Sequence, residues 1–342
     1  LNTMNTLLAQ SFGTLPAMLA GHAATRGGHP ALVLDGQVLS FAQLQARVQQ
    51  VAGALQRDGV RPGQAIAICA ATSLAYVCTF LGAVQAGVTV APLPPTATPA
   101  QLQALSANAG AVAVFVDADT AANWADGPVR CWSLDEPAWT EWLQGAAVPS
   151  PVTRQPGEPF NIIYSSGTTG MPKGIVQSCG MRWAQLQRSP ANGFGPDAVT
   201  LLAIPLYSNL TLTYLFGAIG LGGTVVLMGK FDAGRYLTLA EEHGATHSVL
   251  VPVQFRRLMD HPNFDRTDLS LLRRRFCAGA PFVAELKAEV LRRWPGELTE
   301  YYGLTEGGGR TELQAHLHPD KLHTVGRVSA GNDIRLDRKS VV

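Results

Sequence analysis

Apolar positions along this chain fall into two alternating rhythms. Phe41, Leu44, Val48, Val51 and Leu55 recur at three- and four-residue steps, the spacing that lines one face of a helix. Ser40 opens that run and Gln43 follows three residues later, a capping box, so a helix is predicted up to Gly59. By contrast, AIAICA (65–70), VTVAPL (88–93) and AVAVFVD (111–117) are short unbroken apolar runs that read as strands buried on both faces. Between them, 74–87 and a stretch near 101–108 read as helices. This strand–helix–strand repetition predicts an α/β fold with doubly wound, mostly parallel sheets.

A Pro-rich stretch, PSPVTRQPGEP (149–159), reads as a linker, which sets a first α/β subdomain at 1–150. The rhythm then resumes with strand candidates FNIIY, VTLLAIPL, TVVLMG, THSVLVP, RRFCAGA and LTEYYG, a second α/β subdomain at 151–315. In open α/β sheets ligands collect at the carboxyl ends of strands. Four polar or Gly-rich turns fall there: SSGTTG, YSN, GAP and GLTE. Arg273, Arg274 and Arg275 read as a solvated strand entry.

Composition narrows the function classes. A net charge of +1 lacks the basic footprint of a nucleic-acid binder. The five cysteines are scattered, without a CxxC, as suits a reducing compartment; the expected location is the cytoplasm. No charged residue occurs between Arg61 and Asp117, yet Gly82, Gly87, Pro92, Pro94 and Pro95 interrupt the stretch. No membrane span is therefore expected, since one needs roughly 18–20 unbroken apolar residues. The first residues carry no basic region of a signal peptide, and Leu1 is not a natural start, so 1–3 read as foreign to the native chain.

The sharpest chemical signal is YSSGTTGMPKG (164–174). Glycines at 167, 170 and 174 allow a tight turn with backbone N–H groups converging on one anion. Ser165, Ser166, Thr168 and Thr169 add hydroxyl donors, and Lys173 adds positive charge. Hydrogen bonds to a charged group contribute roughly 1.5–3 kcal/mol each, enough in number to hold a polyphosphate. A flexible Ser/Gly surface loop is the alternative. A Walker A loop is disfavoured, because the lysine follows Pro172 and precedes Gly174 where Ser or Thr belongs.

This stretch resembles the signature loop of the adenylate-forming superfamily, which includes acyl-CoA synthetases, luciferases and peptide-synthetase adenylation domains. CAGAP (277–281) resembles that family's Gly-Ala-Pro segment, and EYYGLTE (300–306) its Tyr-Gly-x-Thr-Glu motif. HPALVLDGQVLSFAQLQARV, GVRPGQAIAI and AGVTVAPL have counterparts in the first half, so the resemblance covers nearly the whole chain. It implies that a carboxylate is joined to the α-phosphate of ATP with release of pyrophosphate, then passed to CoA as a thioester. Loading of a carrier protein instead, or a non-catalytic nucleotide-binding role, stays open.

The resemblance also implies roles for residues. Ser165, Ser166, Gly167, Thr168, Thr169 and Gly170 would cradle the β- and γ-phosphates, with Lys173 steadying loop or phosphates. Thr305 would bind the α-phosphate and Glu306 the Mg²⁺, whose chemistry favours hard oxygen ligands. Tyr302 would stack on adenine opposite Gly279, Ala280 and Pro281, with Glu300 near the adenine amine and Tyr301 and Gly303 in the same nucleotide motif. Tyr207, Ser208 and Gly303 would border the acyl group; Ser208 stands where many acyl-CoA synthetases carry histidine. No Asp occurs between Pro205 and Leu227 to pair an α-ammonium, so an acid without that group is expected.

HTVGRVSAGNDIRL resembles the start of the family's β-barrel segment, giving 316–342 as a truncated third part. The family's small C-terminal domain, with its catalytic lysine, and the ribose-binding Asp are absent from this 342-residue sequence. On that reading the 342-residue chain adenylates poorly by itself. A homodimer is compatible with the resemblance.

Overall fold

The computed structural model describes residues 6–124, 127, 129–165, 173–307 and 309–335. The chain divides into two compact units, Leu1–Lys230 and Phe231–Val342. The Pro-rich stretch 149–159 lies inside the first of them.

The first unit contains β1 (Pro30–Leu34), β2 (Gln37–Ser40), β3 (Ala65–Cys69), β4 (Thr89–Pro92), β5 (Ala111–Val116) and β6 (Arg130–Ser133), followed by β7 (Pro159–Ser165), β8 (Lys173–Ser178), β9 (Val199–Leu202) and β10 (Thr224–Leu227). Six of these form a sheet in the order β6–β5–β3–β4–β7–β8. Its pairings are parallel except the last, where β7 and β8 form an antiparallel hairpin. The other four run β9–β10–β1–β2, parallel until the β1–β2 hairpin. Asp35 and Gly36 turn that hairpin with φ of 48° and 78°, the left-handed pair that a tight two-residue connection needs.

The apolar runs behave as expected of strands covered on both sides. Every residue of β3 and β4 is buried. On one face Ala67, Cys69, Ala91, Leu93, Val114 and Val116 pack on Leu102 and Leu105 of the helix Pro99–Asn108. The intervening Ile66 and Ile68 are fully buried on the other face. The predicted capping box forms: Gln43 N donates to Ser40 Oγ at 3.3 Å and Ser40 N to Gln43 Oε1 at 2.9 Å. It starts the helix Phe41–Arg57, whose apolar stripe is buried throughout.

In the second unit, β11 (His247–Leu250), β12 (Arg274–Cys277) and β13 (Glu297–Gly303) pair parallel, and β14 (Arg310–Gln314) and β15 (Arg327–Val328) continue antiparallel. Among the described residues the C-terminal segment is this short antiparallel ladder and not a closed barrel. One expectation is overturned here. Arg275 is not solvated but 1% exposed, with its guanidinium 4.8 Å from the centre of the Trp294 ring. Its Nη1 donates to the Trp294 carbonyl and its Nε to the Glu297 carbonyl at 3.3 Å. Those two bonds lock the end of the helix Ala284–Arg293 to the start of β13. No helix of the described residues is long and apolar enough to cross a membrane.

Candidate functional site

The phosphate-type motif begins and ends on an antiparallel hairpin. Ser165, last in β7, and Lys173, first in β8, are Cα partners across the ladder, as are Tyr164 and Gly174. Ser166, Gly167, Thr168, Thr169 and Gly170 lie outside the described residues. Lys173 is exposed. Tyr164 anchors the base of the hairpin: its hydroxyl lies 2.9 Å from the Leu105 carbonyl and 2.8 Å from Asn108 Oδ1. Burial pushes that phenol up to about 12. Gly174 permits the close pairing, since a Cβ there would meet Asn108 Oδ1, Tyr164 Cε1 and Ile162 Cγ2 at 3.0–3.2 Å. Its work is therefore in the hairpin stem.

Tyr207 and Ser208 follow β9 and are half-buried. Ser208 is the extended N-cap of the helix Asn209–Gly220, though its side chain makes no capping bond. What fixes this helix start is Arg182, a residue sequence reasoning missed. Arg182 is 3% exposed and donates through Nη2 to Asn209 Oδ1 at 2.8 Å and through Nε to Asn161 Oδ1 of β7 at 2.9 Å. Its Nη1 reaches Gln185 Oε1 at 2.8 Å and Thr213 Oγ1 at 3.3 Å. A signal existed: Cys179, Arg182, Trp183 and Leu186 are the buried stripe of the helix Cys179–Arg188, so the arginine stands where an apolar residue belongs.

In the second unit two motif loops leave the same edge of the sheet. β12 and β13 are parallel and in register, Cys277 opposite Glu300. Beyond Cys277 the chain enters Gly279, Ala280 and Pro281, all exposed, with Gly279 at φ 90°. A side chain there would be strained, which keeps this turn to glycine. Beyond Glu300, Tyr302 is 59% exposed, Gly303 and Glu306 are exposed, and Tyr301 and Thr305 are half-buried. Tyr301 is fixed from two sides, stacked on Phe276 at 6.2 Å between ring centres and covered by the Arg310 guanidinium at 4.5 Å.

Glu300 is placed differently from the residues around it. Its carboxylate is 4% exposed and ion-paired with Lys287 Nζ, itself 1% exposed. The Phe282 N–H also donates to that carboxylate. Lys287 further donates to the Leu322 and Thr324 carbonyls, each at 2.9 Å. Burial raises the Glu300 pKa, with Lys287 and the Phe282 N–H pulling the other way. In this structure the Glu300 carboxylate makes a structural contact. The carboxylate ties the residue after Pro281 to the strand that carries Tyr302.

Comparison with known proteins fits this arrangement. Residues 19–340 match the family model described as AMP-binding enzyme. Feruloyl-CoA synthase of an Amycolatopsis species is 30% identical over 96% of this chain and 66% of its own length. The rice 4-coumarate–CoA ligase 5 is 28% identical over 80% of this chain and 53% of its own. Among solved structures, o-succinylbenzoate coenzyme A synthetase of Bacillus subtilis, in complex with ATP and magnesium ion, superposes with a TM-score of 0.84 at 23% identity, covering 94% of this chain and 66% of that one. The chain thus spans slightly less than two thirds of the first of these curated relatives and about half of the other. With 322 consecutive residues, 19 to 340, matched by one family model, the chain belongs to the AMP-binding enzyme family.

Proposed function

We propose that this chain binds Mg-ATP and activates a carboxylic acid as its acyl-adenylate, for transfer to CoA. The observation that carries the reading is the register of β12 and β13, which delivers the Gly279–Pro281 turn and the Tyr302–Glu306 segment to one sheet edge. An exposed tyrosine beside an exposed glycine turn is a surface on which a flat heterocycle can stack. Relatives named as CoA ligases support the acceptor, and the feruloyl and coumarate names make hydroxycinnamate-type acids the first to test.

The chemistry requires a poor nucleophile to approach a polyanion. A carboxylate oxygen attacks the α-phosphorus, the bond to the bridging oxygen breaks, and pyrophosphate leaves. Neutralising charge and aligning the attack are the protein's tasks. Lys173 supplies positive charge at the hairpin, and Thr305 a hydroxyl donor to the α-phosphate. Glu306, an exposed carboxylate without an ion pair among the described residues, suits Mg²⁺. The metal, when bound, neutralises phosphate charge.

The test is calorimetric binding of ATP with and without Mg²⁺, followed by pyrophosphate exchange across a panel of aryl and aliphatic acids. Glu306→Gln is expected to abolish the Mg²⁺-dependent gain in affinity and to cut exchange by about 10²–10³ without shifting the melting temperature. Wild-type affinity and exchange in that variant, or no ATP binding by the parent chain, would overturn the reading.

A further inference from the structure

Within the first unit lies a cavity of about 360 Å³ that the chemistry above does not use. None of the residues assigned so far to nucleotide or acyl group lines it. Phe160, Trp183 and Phe216 give it aromatic walls, and its polar positions include Arg182, Gln45 and Gln85. The volume is at the lower end of the range that small-molecule sites occupy.

Its electrostatics are one-sided. Two arginines line the cavity and no aspartate or glutamate does. Arg154 is neutralised by Glu158 at 3.1 Å. Arg182 is not: among the described residues its partners are four neutral side-chain oxygens and the faces of Phe160 and Phe216, 5.9 and 5.4 Å from the guanidinium carbon. A guanidinium has five N–H donors, so one remains beyond those four bonds. Burial draws the Arg182 pKa down to about 9, which still leaves it charged at neutral pH. A buried cation without a counter-ion is costly, and an anion brought beside it relieves that cost.

We propose that this cavity is a second ligand site, taking a small organic anion with a ring-sized apolar body. The anionic group meets Arg182, and the body lies against the aromatic walls. The site is independent of the adenylation reading.

The probe is naphthalene-2-sulfonate, whose sulfonate cannot be adenylated as a carboxylate is, titrated calorimetrically with and without saturating Mg-ATP. Its neutral isostere, naphthalene-2-sulfonamide, is titrated alongside. Expected are one sulfonate per chain, undisplaced by Mg-ATP, and an affinity at least about tenfold above the sulfonamide, as a charge-assisted bond supplies. Gln49→Trp, a change at an exposed lining residue that leaves Arg182 in place, should fill the cavity and remove the binding while the melting temperature holds. No saturable binding, equal affinity for the two probes, indifference to Gln49→Trp, or displacement by Mg-ATP would each overturn the proposal. Sulfonate binding in a chain that fails to bind ATP would instead sink the adenylation reading and leave this one standing.

Discussion

At the scale of single residues, three buried cations among the described residues, Arg182, Arg275 and Lys287, organise this protein, and none announces itself by motif. Lys287 lies beside Leu286 on the buried face of its helix and holds Glu300 together with two carbonyls of the segment before β15. Removing one member of such a pair strands the other charge in a dry site, which typically costs about 3–5 kcal/mol. Lys287→Met is therefore expected to destabilise strongly in urea denaturation. The double change Lys287→Met with Glu300→Gln should recover most of the loss, because no uncompensated charge then remains. Equal instability of the single and double variants would show that packing, not charge, dominates. Glu300 was singled out by its place in EYYGLTE, but its partner Lys287 was not. A lysine in a ten-residue helix reads as a solvated side chain until the fold closes over it, and Arg182 and Arg275 escaped for the same reason.

Secondary-structure elements were better marked, because their signals are local. The Ser40–Gln43 box and the apolar stripe behind it specify the helix Phe41–Arg57 with no help from the rest of the chain. Two hairpins were harder. LVLDGQVL carries an Asp-Gly turn between β1 and β2, and its cue lies in the turn, not in an apolar run. β8 pairs back on β7 across the phosphate-type loop, and its sequence KGIVQS has neither a continuous apolar run nor a turn of its own to mark it. Element ends also carry electrostatics. Asp58, just past the helix Phe41–Arg57, takes bonds from Arg57 at 2.9 and 3.1 Å and from Trp142 Nε1 at 2.8 Å. The Arg57 bonds hold its carboxyl below the usual range, with Trp142 assisting. A depressed carboxylate stabilises the fold above the unfolded-state pKa, and that contribution fades as pH falls through the folded value. Asp58→Asn should then cost roughly 1 kcal/mol at neutral pH. The gap between variant and parent should narrow in urea midpoints as pH falls from the ordinary carboxylate range through the lower folded-state value.

For the molecule as a whole, the order of motifs along the chain identified the family, and the family model spans the same stretch. Order alone could not reveal the cavity around Arg182, which depends on seven separate chain segments packing at once. Ligand linkage offers a global readout of the proposed function. At a hundred times the dissociation constant, Mg-ATP should add about 2.7 kcal/mol, or about 4 °C in melting temperature for a chain of this length. Glu306→Gln should lose the Mg²⁺-dependent part of that rise. The cysteines give access to such measurements without engineering. Cys69, Cys78, Cys179 and Cys277 are buried, and Cys131 alone is exposed, on β6 at the margin of the six-stranded sheet. Its thiol is pushed up by partial burial, so it reacts slowly at neutral pH and readily in mild alkali. A fluorophore coupled under those conditions lands on one known strand of the native chain, so ligand-driven change can be followed as a single-position optical signal.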